Sequence, residues 1–142
     1  MTEESTTADP VELTRRANEA ANRRDFDAMM SVYRADAVWD LSSGGLGAYE
    51  GTAAIRGFFE DWLGAFEEYE VWDEELVDLG GGVSFAVMAQ RARPRGSSGQ
   101  VTIRYCSVST WEDGVCASCT NYPEADIDEA RATAERLAQE RA

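Results

Sequence analysis

Histidine and lysine are both absent from the 142 residues, and all 13 basic side chains are arginine. Without an amine no Schiff base can form, and without an imidazole neither a Ser-His-Asp triad nor a histidine-ligated metal is available. Proton transfer is therefore left to Asp, Glu, Tyr or Cys. Long apolar runs are missing too. Charge interrupts each one within a few residues, far short of the roughly 20 needed to span a bilayer. The opening MTEESTTADP is acidic and polar, without the basic start and apolar segment of a secretory signal, so the expected location is the cytoplasm.

Acidity is plentiful by contrast. A net charge of −14 argues against phosphate backbones and anionic membranes as partners. Its simplest role is to keep a small protein soluble. The three cysteines are Cys106, Cys116 and Cys119. The CASC spacing invites a redox or zinc reading, yet on a strand an offset of three points the last two to opposite faces. Reduced, packed thiols are expected, with neither a metal nor a cofactor. The chain is long enough to bury a core of its own, and 44% hydrophobic content is ordinary for one globular domain.

The first helix is announced by DPVE: Asp9 can cap, Pro10 suits the first helical position and Glu12 completes a capping box. It should run to about Asn22. A short second helix is expected from Asp25, with Phe26, Met29, Met30 and Tyr33 on one face. The third, with Thr52 as its cap, carries the aromatic stripe Ile55, Phe58, Phe59, Trp62, Leu63 and Phe66, either core packing or a wall for a flat apolar ligand. From Tyr69 the period becomes two. Four strand candidates follow, YEVWDEELVDL, VSFAVMAQRAR, QVTIRYCSVSTW and VCASCTNY, separated by GGG, PRGSSG and EDG. Asp126 and Glu129 form a second capping box for a C-terminal helix with a sparse apolar face.

Helices followed by an antiparallel meander predict an α+β domain. The expected sheet is cone-shaped and strongly curved, covered on one face by the N-terminal helices, with a cavity beneath them and an extra C-terminal helix. Residues 1–8 are expected to be a disordered tail, 9–125 the domain, and 126–142 the last helix.

The segments NRRDFDAMMSVYRADAVWDLSSGG, YEGTAAIRGFFEDWL and VSTWEDGVCASCTNY, in this order and spacing, resemble the SnoaL-like branch of the nuclear transport factor 2-like superfamily, which is polyketide cyclase-like and ketosteroid isomerase-like. The superfamily houses isomerases, cyclases, epoxide hydrolases, dehydratases and inert binders, so the resemblance implies a fold before a reaction. It implies that Asp40 occupies the place of the isomerase's general base. It also implies a homodimer formed sheet to sheet, to which Trp39, Trp72 and Val87 would supply apolar contact. The isomerase's other working groups are missing: Ala17 stands where its Tyr would be and Ser107 where its protonated Asp would be. The cyclases' histidine is absent as well. Arg104 lies on a strand suited to the epoxide hydrolases' Asp-Arg-Asp set, but Cys106 stands where an acid would be wanted.

Strand alternation puts Val38 and Asp40 on one face and Trp39 on the other, and the resemblance turns the first face inward. If EDG is a three-residue turn, Trp111 pairs with Val115 and Ser107 lies opposite Cys119. Tyr105, Ser107, Cys119 and Asn121 then join Tyr33, Met88 and Gln90 around a cavity walled by Phe58, Phe59 and Trp62. Asp40 has two readings: a carboxylate in that cavity with a raised pKa suited to a general base, or a strand end bonding the backbone of SSGG. Function follows the same fork. One branch is cofactor-free isomerase, cyclase or lyase chemistry on a small hydrophobic molecule; the other is a non-catalytic binder or accessory dimer. Arg91, Arg93 and Arg95 alternate along one strand, either as a solvated face or against a second subunit.

Overall fold

A computed structural model describes residues 9–142; the expected tail at 1–8 lies outside the described residues. The helices begin where local chemistry says they should. α1 spans Pro10–Asn22 with the Asp9 side chain accepting from the Val11 amide at 3.0 Å, and α2 spans Phe26–Met30 with Asp25 accepting from Ala28 at 3.1 Å. α3 covers Thr52–Gly64, but its cap is Gly51 rather than Thr52. The Gly51 amide donates to the Ala37 carbonyl at 2.7 Å, which ties the helix start to the first strand. Phe66 leaves the helical stripe and opens a strand. The last helix, α4, spans Ile127–Arg141, and no side-chain bond from Asp126 caps it.

The strands are β1 (Tyr33–Asp40), β2 (Ala48–Glu50), β3 (Phe66–Gly80), β4 (Val83–Pro94), β5 (Val101–Glu112) and β6 (Val115–Pro123). They form one sheet in the order β2-β1-β6-β5-β4-β3. The domain is α+β as expected, but the cone is not. The sheet is open, with β2 and β3 as free edges, and it is neither closed nor strongly curved. It is not wholly antiparallel either, because β1 runs parallel to β6. Meander logic pairs neighbours in sequence; it cannot see a contact between the first strand and the last.

The helices divide between the two faces. Val83, Phe85, Val87, Cys106 and Val108 alternate out of β4 and β5 onto one side, where Ile127, Ala130, Ala134 and Ala138 of α4 bury them. On the other side, α1, α2 and α3 pack through Leu13, Ala20, Ala21, Met29, Ile55 and Leu63. Arg131 fastens α4 to the sheet by donating to both carboxylate oxygens of Glu75 on β3. Two of the apolar residues expected to meet a second copy are therefore used internally: Val87 lies under α4 and Trp39 faces the N-terminal helices. Trp72 stays 36% exposed with the Arg91 guanidinium 5.8 Å from its ring centre.

The arginine row also has an internal explanation. Arg91 donates to Glu70 at 2.6 Å, Arg93 to Glu67 at 3.0 Å, and Arg95 to the Gly64 carbonyl at 2.7 Å. The edge strand β3 thus carries a charged fringe, which discourages pairing with another chain's edge. Among the described residues no helix is long and apolar enough to cross a membrane.

The β3–β4 turn brings backbone against backbone. Gly82, at φ +74°, receives a hydrogen bond from the Trp111 amide at 2.7 Å, and a Cβ on it would lie 2.7 Å from the Trp111 carbonyl oxygen. Gly80 also has positive φ, but a Cβ there meets nothing within 4 Å. Gly82→Ala should therefore cost about 1–3 kcal/mol from backbone strain plus a further loss from the clash, whereas Gly80→Ala pays the strain alone. Urea unfolding of the two variants checks this: Gly82→Ala must be the less stable of the pair.

Candidate functional site

β1 sets the site by presenting the opposite face from the one expected. Ala37, Trp39 and Leu41 are buried, and Val38 is 36% exposed. The Trp39 ring stacks on Phe59 with centroids 4.3 Å apart and meets Phe58 edge-on at 5.3 Å. A large ring finding two others is worth more than burying a valine and a carboxylate, so the indole takes the inside.

Asp40 is left at the strand's rim. Its Oδ1 accepts from the Ser42 hydroxyl at 2.6 Å and the Ser42 amide at 2.9 Å, closing a turn into the short 3₁₀ segment Ser42–Gly44. Those two bonds, the hydroxyl's first, hold its carboxyl below the ordinary Asp range. A carboxylate so stabilised, beside water, is not poised as a base near neutrality. Neither Val38 nor Asp40, both expected to face the cavity, is among the residues that line the hollow beneath α1 and α3.

Between α1, α3 and the inner face of the sheet lies a hollow of about 300 Å³. Tyr33, Phe58, Phe59, Trp62, Met88, Gln90, Tyr105, Ser107, Cys119 and Asn121 all line it, together with Trp39, Tyr69, Val71, Trp111 and Asn18. Rings dominate its wall: Phe58 stacks on Trp62 at 5.9 Å, and the Trp62 indole nitrogen donates to Gln90 Oε1 at 3.3 Å.

The register of β5 and β6 differs from the expected one by two residues. Asp113, at φ 55°, and Gly114, at φ 80°, make a two-residue hairpin turn between Glu112 and Val115. Ala117 is then an extra residue, since Trp111 pairs with Cys116 but Thr110 with Ser118. Ser107 consequently lies opposite Asn121, and Ser109 opposite Cys119. The shift is even, so the same side chains still share a face. The bulge has a second effect. It returns Cys116 to the side of Cys119, and both free thiols line the hollow, contrary to the opposite-face expectation.

Burial governs the chemistry of this interior. It pushes the Tyr33, Tyr69 and Tyr105 hydroxyls and the Cys116 and Cys119 thiols up, so all five are protonated near neutrality. The charged lining residues are Arg104 and Glu124, which pair with each other at 3.3 Å.

One acid went unnoticed in the sequence. Asp73 lies on β3 opposite Met88, and its Oδ1 accepts from Asn18 Nδ2 of α1 at 2.8 Å. Asn18 and Met88 both line the hollow, so the carboxylate stands just behind them. Half-burial raises its pKa, opposed by the Asn18 bond and by Arg15. The signal was available: Tyr69, Val71 and Asp73 alternate on one face. A bulge after Asp73 then sends Glu75 to the other face, where Arg131 holds it.

Residues 14–118 match the model of the SnoaL-like domain. The chain belongs to the SnoaL-like family. Solved structures agree on the fold. TerC, co-crystallised with polyporic acid, is 16% identical with a TM-score of 0.71, over 89% of this chain and 98% of its own. A Catenulispora acidiphila protein with a ketosteroid isomerase-like fold, in complex with trimethylamine, is 13% identical with a TM-score of 0.71, over 86% and 92%. An LEH-like epoxide hydrolase of M. tuberculosis is 16% identical with a TM-score of 0.68, over 84% and 82%. At such identities the likeness establishes the fold alone. No curated protein matches the sequence.

The two acids of this SnoaL-like chain should respond oppositely to pH. Asp40, depressed in the fold, stabilises above the ordinary Asp pKa and loses that contribution as pH falls. Asp73, raised in the fold, favours folding at acid pH and loses that contribution as pH climbs through its raised value. Melting curves between pH 3 and 7 should show Asp40→Asn losing stability relative to the parent as pH rises, and Asp73→Asn gaining it.

Proposed function

We propose that the hollow binds one small, neutral, largely apolar molecule carrying a flat ring system. The observation behind this reading is the wall itself. Trp39, Phe58, Phe59 and Trp62 pack against one another, stacked or edge-on, around open volume, with a few polar groups on the opposite sheet face. A volume of about 300 Å³ suits a two-ring compound. The cation of the lining, Arg104, is already held by Glu74 and Glu124, so no free positive charge is left for a buried anion and a neutral guest is favoured. The family's isomerase and cyclase chemistry remains compatible with such a guest, but not with Asp40 as its base.

Naphthalene titration tests the binding reading. Ala17 lines the hollow from α1, and Ala17→Trp would fill it. The parent should bind naphthalene saturably, and the filled variant should lose about tenfold or more in affinity, equivalent to about 1.4 kcal/mol or more. Absence of saturable binding, or equal binding by a folded Ala17→Trp, contradicts it.

Asp73 favours a second reading, in which a bound carbonyl compound exchanges a proton. Its raised pKa suits a base, and Asn18 links it to the lining. Incorporation of deuterium at the carbon next to the carbonyl of 2-tetralone, followed by NMR in heavy water, should be faster with the parent than with Asp73→Asn. Equal rates would leave binding alone.

A further inference from the structure

We propose that the Trp39 indole N–H is the hollow's selectivity group, reserved for an acceptor oxygen on the bound molecule. This rests on the binding reading above and adds a requirement to it: the guest must present an oxygen that accepts, as a ketone carbonyl does.

Trp39 is 7% exposed and lines the hollow, yet its Nε1 is buried without a hydrogen-bond partner. Among the described residues it is the single buried side-chain nitrogen or oxygen in that condition. A buried donor left unmade costs about 1–3 kcal/mol, so such groups in folded proteins ordinarily have a partner, and a missing one points to a ligand. The other indoles of the lining are satisfied. Trp62 Nε1 donates to Gln90 Oε1 at 3.3 Å, and Trp111 Nε1 to Ser84 Oγ at 2.8 Å.

The protein supplies Trp39 with no strong acceptor. What the indole N–H faces is the Cys119 thiol, which burial keeps protonated and whose sulfur accepts weakly. That thiol is itself committed as a donor to Asn121 Oδ1 at 3.5 Å. Of the three side-chain amides of the lining, Gln90 already accepts from Trp62 and Asn121 from Cys119, and Asn18 on α1 is turned toward Asp73, to which its Nδ2 donates at 2.8 Å. An indole N–H donates and does not accept, so its complement on a guest is an acceptor oxygen, which a ketone carbonyl supplies. The rings of Phe58 and Phe59 against Trp39 place a flat conjugated guest beside the indole.

The test compares 1-tetralone with tetralin, which share a skeleton and differ in the carbonyl. Affinities are measured by NMR titration of protein labelled with ¹⁵N at tryptophan, for the parent and for Trp39→Phe, which also assigns the indole signal. In the parent, 1-tetralone should move the Trp39 indole proton downfield and tetralin should not. The ketone-to-hydrocarbon affinity ratio should fall about tenfold in Trp39→Phe, as expected for losing one hydrogen bond to an otherwise orphaned donor. An indole signal that responds alike to both compounds, or a ratio unchanged by the substitution, overturns the inference and leaves the binding reading standing. Saturable binding of neither compound overturns the binding reading itself, and this inference with it. If Trp39→Phe does not fold, the parent's indole signal, assigned instead by its through-space contacts to the Phe58 and Phe59 rings, decides.

Discussion

The stack of Trp39 on Phe59 decides which side of β1 is inside, and the character of the site follows from that choice. A strand end can present one of two faces, Ala37-Trp39-Leu41 or Val38-Asp40. The first buries a ring against two others; the second would strip water from a carboxylate with no cation nearby. The energies differ in the same direction on both counts, so the indole goes in and the acid stays out. An interior that might have been organised around a charge is organised around rings, hydroxyls, thiols and amides.

The sheet's other face explains how so long a meander is held. α4 lays small residues, Ala130, Ala134 and Ala138, across β4 and β5, which lets the helix approach closely. The backbone of Gly81 and Gly82 touches this helix and the end of β5, and Arg141 returns a bond from α4 to the Gly81 carbonyl at 2.8 Å. With one face closed by α4, the opposite face is free to keep an unfilled volume under α1 and α3. The family fold is retained while the open space is confined to one layer.

Much of this was legible locally. Helix starts at Asp9 and Asp25 depend on residues within one turn, and the aromatic stripe of α3 is visible from spacing alone. What failed was non-local. Alternation says that Val38 and Asp40 share a face but not which face is buried; that depends on Phe58 and Phe59, twenty residues away. The parallel pairing of β1 with β6 involves the first and last strands, and no local pattern announces it. The bulge at Ala117 exists only relative to β5, so simple alternation sets Cys116 and Cys119 on opposite faces whereas both line the hollow. Asp73 is the instructive case, because its face could be read from Tyr69 and Val71.

The central claim is that a small neutral guest sits among the rings on the Trp39 side of β1, away from Asp40. Intermolecular NOEs between unlabelled tetralin and ¹³C-labelled protein test it most directly. The account predicts contacts to the ring protons of Trp39, Phe58 and Phe59 and none to Val38 or Ser42. Contacts centred on Val38, Asp40 and Ser42, or no specific contacts at saturating tetralin, would contradict it.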